Sequence, residues 1–293
     1  MGKRATLFKY LVALLLFGSN GIVASYISLN SYEIVFTRTC IGSIILTLIF
    51  LLSKQNLHAW KNKTHFLYLL FSGMAMGAAF LSLFEAYAQA GVSIATLAYC
   101  SGPVIVMMLS PIVFKERLSL AKVLGFIVVV LGIFLIFGKS LDEGMKSQGV
   151  FYGILAACMY ALMVISNKKS TSITGLEKPM WQLISSFVTI AICLGSKQGF
   201  SLQISSEDVL PILQLGVVNT GLGCYFYFSS IGNLDAQAVA LYGYIEPLSA
   251  LLFSGLLLGE ALLPLQWIGA IFVMAGAISG EILSQKKILL TRS

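Results

Sequence analysis

The sequence predicts an all-α polytopic membrane protein with ten transmembrane helices, arranged as two inverted five-helix repeats. Three observations predict it. Of the 293 residues 58% are hydrophobic and 11% charged, with a mean hydropathy of +0.90, whereas a soluble domain carries about 45–50% apolar and about 25% charged residues. The apolar residues fall in runs that reach the roughly 20 residues a bilayer crossing needs. The two halves of the chain also match each other at a constant offset. Too little charge is present to solvate a globule of this size, which excludes an ordinary cytosolic enzyme, a disordered chain and a secreted disulfide scaffold.

Taken in order, the runs lie at about 7–28, 32–53, 65–88, 93–114, 119–138, 149–167, 178–195, 208–231, 236–258 and 265–284. The first follows Met1-Gly2-Lys3-Arg4 and resembles a signal peptide ending at Ala24-Ser25, but nine further runs with no soluble remainder make it a first span. The second carries Arg38 inside the apolar stretch, and the third carries Glu85 together with a Gly73/Gly77 pair at GxxxG spacing. Such small pairs let helix backbones approach closely. Pro103 interrupts the fourth run and Pro247 the ninth; each removes a backbone donor and clashes with the preceding turn, so the carbonyls of Tyr99 and Gly243 lose their helical partners. The tenth holds Gly276 and Gly280, again at GxxxG spacing.

Charge orients the runs. With the N-terminus inside, Lys3, Arg4, Lys9, Lys54, Lys61, Lys63, Lys115, Arg117, Lys122, Lys168, Lys169, Lys178, Lys286, Lys287 and Arg292 are cytoplasmic, and only Lys139, Lys146 and Lys197 are external. That bias follows the positive-inside rule. The net charge of +7 therefore reads as topology, not as a nucleic-acid surface. Five cysteines, all in apolar stretches and without a CxxC pair, suggest neither a disulfide framework nor a metal site. No cofactor is expected.

At an offset of 144 residues Gly77 meets Gly221, Pro103 meets Pro247, Glu116 meets Glu260, Leu118 meets Leu262, Gly125 meets Gly269 and Gly132 meets Gly276. Each half, 1–140 and 141–293, holds five runs. An odd number makes the second half enter the membrane from the opposite side, which is the plan of a transporter with its site between the repeats.

On these residues the chain resembles the EamA family of the drug/metabolite transporter superfamily. The resemblance rests on Arg38, on Pro103 with Glu116, and on YIEPLSALLFSGLLLGE at 244–260, with Gly269 and Gly276 in the last run. It implies a secondary transporter, commonly an exporter of amino acids and related metabolites. It also implies a central cavity lined by helices one to four and six to nine.

Candidate residues follow from chemistry. A carboxylate at the depth of Glu246 is costly, about 2.5–3.5 kcal/mol on insertion scales, so it must be paired, hydrated or protonated; that makes it a candidate proton-exchanging group or a structural partner of the backbone freed by Pro247. Pro103 and Pro247 are candidate hinges. Arg38 and Glu85 share a depth on successive helices and are expected to form an ion pair; otherwise Arg38 contacts an anion. Ser19, Asn20, Tyr99, Tyr160, Gln182, Asn219, Tyr225 and Tyr242 supply a polar, aromatic cavity lining.

The function expected is export of a small metabolite by alternating access, with a proton as candidate coupling ion. Transport of a cationic amine or drug-like compound is the alternative, motivated by Glu85, Glu246 and the tyrosines. An intramembrane enzyme is disfavoured, because His58 and His65 are the only histidines and neither HExxH nor GxSxG occurs. The partners expected are substrate and lipid, with monomer or homodimer left open. A topology reporter fused after Ser293 is expected to read cytoplasmic; an external reading would overturn both the orientation and the inverted halves.

Overall fold

The computed structural model describes residues 3–55, 57–114, 120–137, 144–197, 199–200, 202–231, 242–243 and 245–290. Regular structure among them is entirely helical. The helices are α1 (Lys3–Gly18), α2 (Asn20–Ser25), α3 (Ser31–Leu52), α4 (Lys63–Ala90), α5 (Val92–Tyr99), α6 (Gly102–Phe114), α7 (Leu120–Phe137), α8 (Gly144–Lys169), α9 (Glu177–Lys197), α10 (Val209–Leu213), α11 (Gly223–Ile231), α12 (Ile245–Phe253) and α13 (Pro264–Leu290). Two π-helical segments, Gln214–Leu222 and Ser254–Leu258, continue α10 and α12.

Seven stretches are long and apolar enough to cross a membrane: Arg4–Ser25, Ser31–Leu52, Lys63–Ala90, Val92–Phe114, Gln148–Lys169, Glu177–Lys197 and Val209–Ser230. Three shorter apolar helices, Val123–Gly132, Ile245–Leu258 and Pro264–Gly276, accompany them. Large apolar side chains such as Leu52, Ile112, Phe134 and Leu256 point outward, as a lipid-facing surface requires.

Several crossings are interrupted. α1 gives way to α2 at Ser19, and α5 to α6 at Cys100 and Ser101. Pro103 is the second residue of α6 and faces outward; in a first helical turn its missing N–H costs little. Pro247 is the third residue of α12 and is buried.

Small residues set the helix contacts. A Cβ on Gly73 of α4 would strike the Gln182 carbonyl oxygen of α9, and one on Gly18 would strike the Ser249 hydroxyl and lie 2.7 Å from the Glu246 carbonyl oxygen on α12. α7 and α13 meet through a reciprocal pair of contacts. A Cβ on Gly132 would come 2.7 Å from the carbonyl oxygen of Gly269, and one on Gly276 would come 2.8 Å from that of Gly125.

The ends are tied by capping. Asn30 and Glu33 form a capping box on α3. Glu260 accepts from the backbone N–H groups of Val92 and Ser93, both at 2.8 Å, and so caps α5 where Gly91 turns the chain at φ 82°. Its matched residue Glu116 lies outside the described residues. At the end predicted to be cytoplasmic, buried Glu177 accepts from the N–H groups of His58 (2.8 Å) and Ala59 (2.7 Å), tying the loop before α4 to the start of α9.

Gly132→Ala places a methyl group against backbone that cannot swing aside. Overpacking of this kind costs about 1–3 kcal/mol, so the purified variant is expected to melt several degrees below the parent. An unchanged melting temperature would mean that α7 and α13 are not in direct backbone contact.

Candidate functional site

At the interruption at Ser19 the Leu16 carbonyl, inside an apolar bundle, finds a donor on another helix. Asn219, fully buried in the first π-helical segment, donates its amide Nδ2 to the Leu16 carbonyl (2.7 Å), the Ser19 hydroxyl (2.9 Å) and the Asn20 Oδ1 (3.1 Å). All three partners are acceptors, so the amide orientation is fixed, and Asn219 Oδ1 is left buried without a partner. A π-helix inserts an extra residue into the helical ladder, and such segments gather at functional sites.

The next residue of that segment, Thr220, holds Arg38. Its hydroxyl donates to the Leu215 carbonyl (2.7 Å) and accepts from Arg38 Nε (3.2 Å). Arg38 is 2% exposed, and its guanidinium lies 4.5 Å from the Phe80 ring centre and 5.0 Å from that of Phe84, both on α4. Nη1 has no hydrogen-bond partner.

The expected Arg38–Glu85 ion pair does not form. Among the described residues the one salt bridge within 4.0 Å joins Glu177 to His58, and only when that imidazole is protonated. Glu85 accepts from Gln89 Nε2 at 3.3 Å and lies within electrostatic reach of Lys197 at the end of α9. Equal depth did not make the two residues face each other. Glu85 follows Phe84 by one position, about 100° round the helix, and the phenylalanine side of α4 is the one that meets Arg38.

The carboxylate whose field reaches Arg38 is Glu246. It is half-buried, as are Tyr87, Tyr99 and Tyr227, which share its electrostatic neighbourhood. Tyr99 meets Tyr160 edge-on at 5.5 Å, with Gly102 against the Tyr160 ring. Tyr227 packs on Tyr10 at 5.5 Å and on Phe17 at 5.7 Å.

Other predicted residues lie elsewhere. Gln182 is 2% exposed and bridges three helices, accepting from Asn167 Nδ2 (3.0 Å) and donating to Ser72 Oγ (2.9 Å), which donates to the Met163 carbonyl (2.7 Å). Tyr225 lies beneath the Lys9 ammonium at 5.6 Å. Tyr242 is half-buried. Thr220, Phe80, Phe84 and Tyr87 join the group without having been anticipated, because hydropathy does not reveal how each helix is turned about its axis. No cluster of metal-ligating side chains occurs among the described residues.

Away from the interior, Asp208 links the start of α10 to the loop after α2. It accepts from the Ser28 hydroxyl (2.6 Å), the Ser28 N–H (2.8 Å) and the Ser205 hydroxyl (2.9 Å). The Ser28 hydroxyl first, then the Ser28 N–H and the Ser205 groups, hold the Asp208 carboxyl below its ordinary value.

Together these features define a multi-pass membrane protein with interrupted helices around a charged interior. The chain belongs to the EamA-like transporter family, which it matches twice, over residues 5–138 and 147–279. It is a membrane transporter and not an enzyme. It is 24% identical over 278 residues to the uncharacterised transporter YxxF of Bacillus subtilis, covering 94% of this chain and 88% of that one. It is 23% identical over 283 residues to the uncharacterised inner membrane transporter YicL of Salmonella typhimurium, covering 94% of each. A probable amino-acid metabolite efflux pump of Escherichia coli is 27% identical over 181 residues, 58% of this chain and 60% of that protein. A solved structure, described only as a crystal structure of protein, shares the fold with a TM-score of 0.66 at 16% identity, over 97% of this chain and 99% of the other.

The lowered Asp208 carboxyl fixes the sign of a pH effect. The contribution is fully present above the ordinary Asp value of about 3.9 and is lost as pH falls through the lowered folded-state value. The melting-temperature gap between the parent and Asp208→Asn is therefore expected to hold from pH 7 to about 5 and to narrow below about 4. A gap that persists unchanged at the acid end would show that the anion is not what Ser28 and Ser205 stabilise.

Proposed function

We propose that the protein is a secondary transporter that exports a small metabolite, an amino acid or a related compound, across the cytoplasmic membrane by alternating access. In this reading the seven long and three shorter apolar segments make ten crossings, both termini are cytoplasmic, and residues 1–140 and 141–293 form two inverted repeats. The double family match supports the repeats. So does the reciprocity of Gly125 with Gly276 and Gly132 with Gly269, since a two-fold relation makes residue i meet j′ and j meet i′. The name of the Escherichia coli relative, a probable amino-acid metabolite efflux pump, supports the substrate class and the direction.

The observation that carries the reading is the buried Arg38 of α3, whose Nη1 has no hydrogen-bond partner, with the half-buried Glu246 of α12 within electrostatic reach beside the break between α1 and α2. Opposite charges that are not joined in a salt bridge suit a small zwitterion. In this reading Ser19 and Asn20, at the break that Asn219 braces, border the transport path, and Tyr99 and Tyr160 close another side. Glu85 turns toward Gln89 and Lys197, which gives a cationic substrate no additional anchor. Pro103 and Pro247 act as hinges where the helices are interrupted or begin a turn, and a proton taken up and released at Glu246 couples the cycle to the pH gradient.

The test is transport of a panel of radiolabelled amino acids in proteoliposomes, with and without an imposed pH gradient. The expected result is gradient-stimulated flux of at least one amino acid. Glu246→Gln is expected to insert and to exchange labelled for unlabelled substrate while losing the gradient stimulation. Unaltered stimulation in that variant would remove Glu246 from the coupling, and the absence of flux for every amino acid would remove the substrate class.

A further inference from the structure

Arg38 offers the interior a charge that the protein itself leaves incompletely satisfied. Arg38 is 2% exposed, Thr220 takes Nε, and two phenylalanine rings pack against the guanidinium at 4.5 and 5.0 Å. Those rings stabilise a cation electrostatically but accept no strong hydrogen bond. Nη1 has no partner, and among the described residues no carboxylate lies within salt-bridge distance. A buried charged donor without an acceptor is costly. A guanidinium bonded at Nε and packed against two rings is held in place, with its Nη edge left to meet an acceptor. That is the geometry in which arginine receives a planar oxyanion through two parallel hydrogen bonds.

The surroundings narrow the ligand. Glu246 lies within electrostatic reach and supplies a negative charge in its ionised form. With that charge present, a phosphate dianion at Arg38 would leave the interior with net negative charge. A carboxylate that carries its own ammonium leaves it balanced.

We infer that Arg38 is the carboxylate subsite of the transporter, with Thr220, Phe80 and Phe84 as the residues that hold it in place. This rests on the proposed transport of amino acids and adds to it the residue that recognises the carboxylate end of the molecule. It also assigns a specificity: the primary amide of a substrate amino acid, which keeps the ammonium and the side chain, is rejected at Arg38.

The test uses the full-length protein in detergent, screened by thermal shift and then titration calorimetry against each of the proteinogenic amino acids paired with its primary amide. For the amino acid that stabilises the parent, the amide is expected to bind at least about tenfold more weakly, the effect of losing one charge-assisted hydrogen bond. Arg38→Gln is expected to lose about tenfold or more in affinity for the acid with little change for the amide, and Arg38→Lys to fall between. If Arg38→Gln does not fold, Arg38→Lys and the acid–amide comparison on the parent decide the matter. Equal binding of acid and amide, or unchanged acid affinity in a folded Arg38 variant, overturns the subsite while leaving amino-acid transport standing. Stabilisation by neither acid nor amide across the panel overturns the substrate class, and the subsite with it.

Discussion

A backbone carbonyl or N–H released from its helix inside hydrocarbon has no water to turn to, and must be met by the protein. The arrangement of the interior follows from that constraint. α1 stops at Ser19, and the Leu16 carbonyl there accepts from the amide of Asn219, from a helix roughly two hundred residues further along the chain, which also reaches the side chains of Ser19 and Asn20. Asn219 lies in a π-segment, whose Thr220 donates its hydroxyl to the Leu215 carbonyl. The same threonine steadies Arg38. One irregularity thus answers another, and the charged group sits where the two meet.

The sequence displays the first layer of this clearly and the second hardly at all. Apolar runs locate the crossings because the bilayer imposes a length and a composition that no other constraint mimics. Prolines mark trouble in the fourth and ninth runs, and the break between α5 and α6 does fall beside Pro103, although that proline itself faces outward from the first turn of α6. The break at Ser19 has no proline to announce it, and the π-segment leaves no trace in hydropathy. Pairing Arg38 with Glu85 by depth failed for a related reason. Depth is written in the position along a run, whereas facing depends on rotation about the axis, and tertiary contacts fix that rotation. Gln182 and Asn219 show the same limit: both are polar residues in spans, yet one closes a bond network between three helices and the other splints a break.

Elsewhere the bundle is built to stay still. The glycines of α4, α7 and α13 bring backbone against backbone, leaving no flexible side chain between the helices to yield. Carboxylates fasten the helix ends: Glu260 on the start of α5, Glu177 on the loop before α4, Asp208 on the loop after α2.

The π-segment has a mechanical property of its own. Its nine residues, Gln214–Leu222, run without a cap into α11, so the two share one axis. If one residue passed from the wider winding to the ordinary one, everything beyond would screw round by about one residue's rotation, roughly 100°. Tyr227 would leave its place against Tyr10 and Phe17, and a phenylalanine, Phe226 or Phe228, would take it. The wall would exchange a hydroxyl for bare ring through a turn of one helix about its own axis, with an advance of only about 1.5 Å.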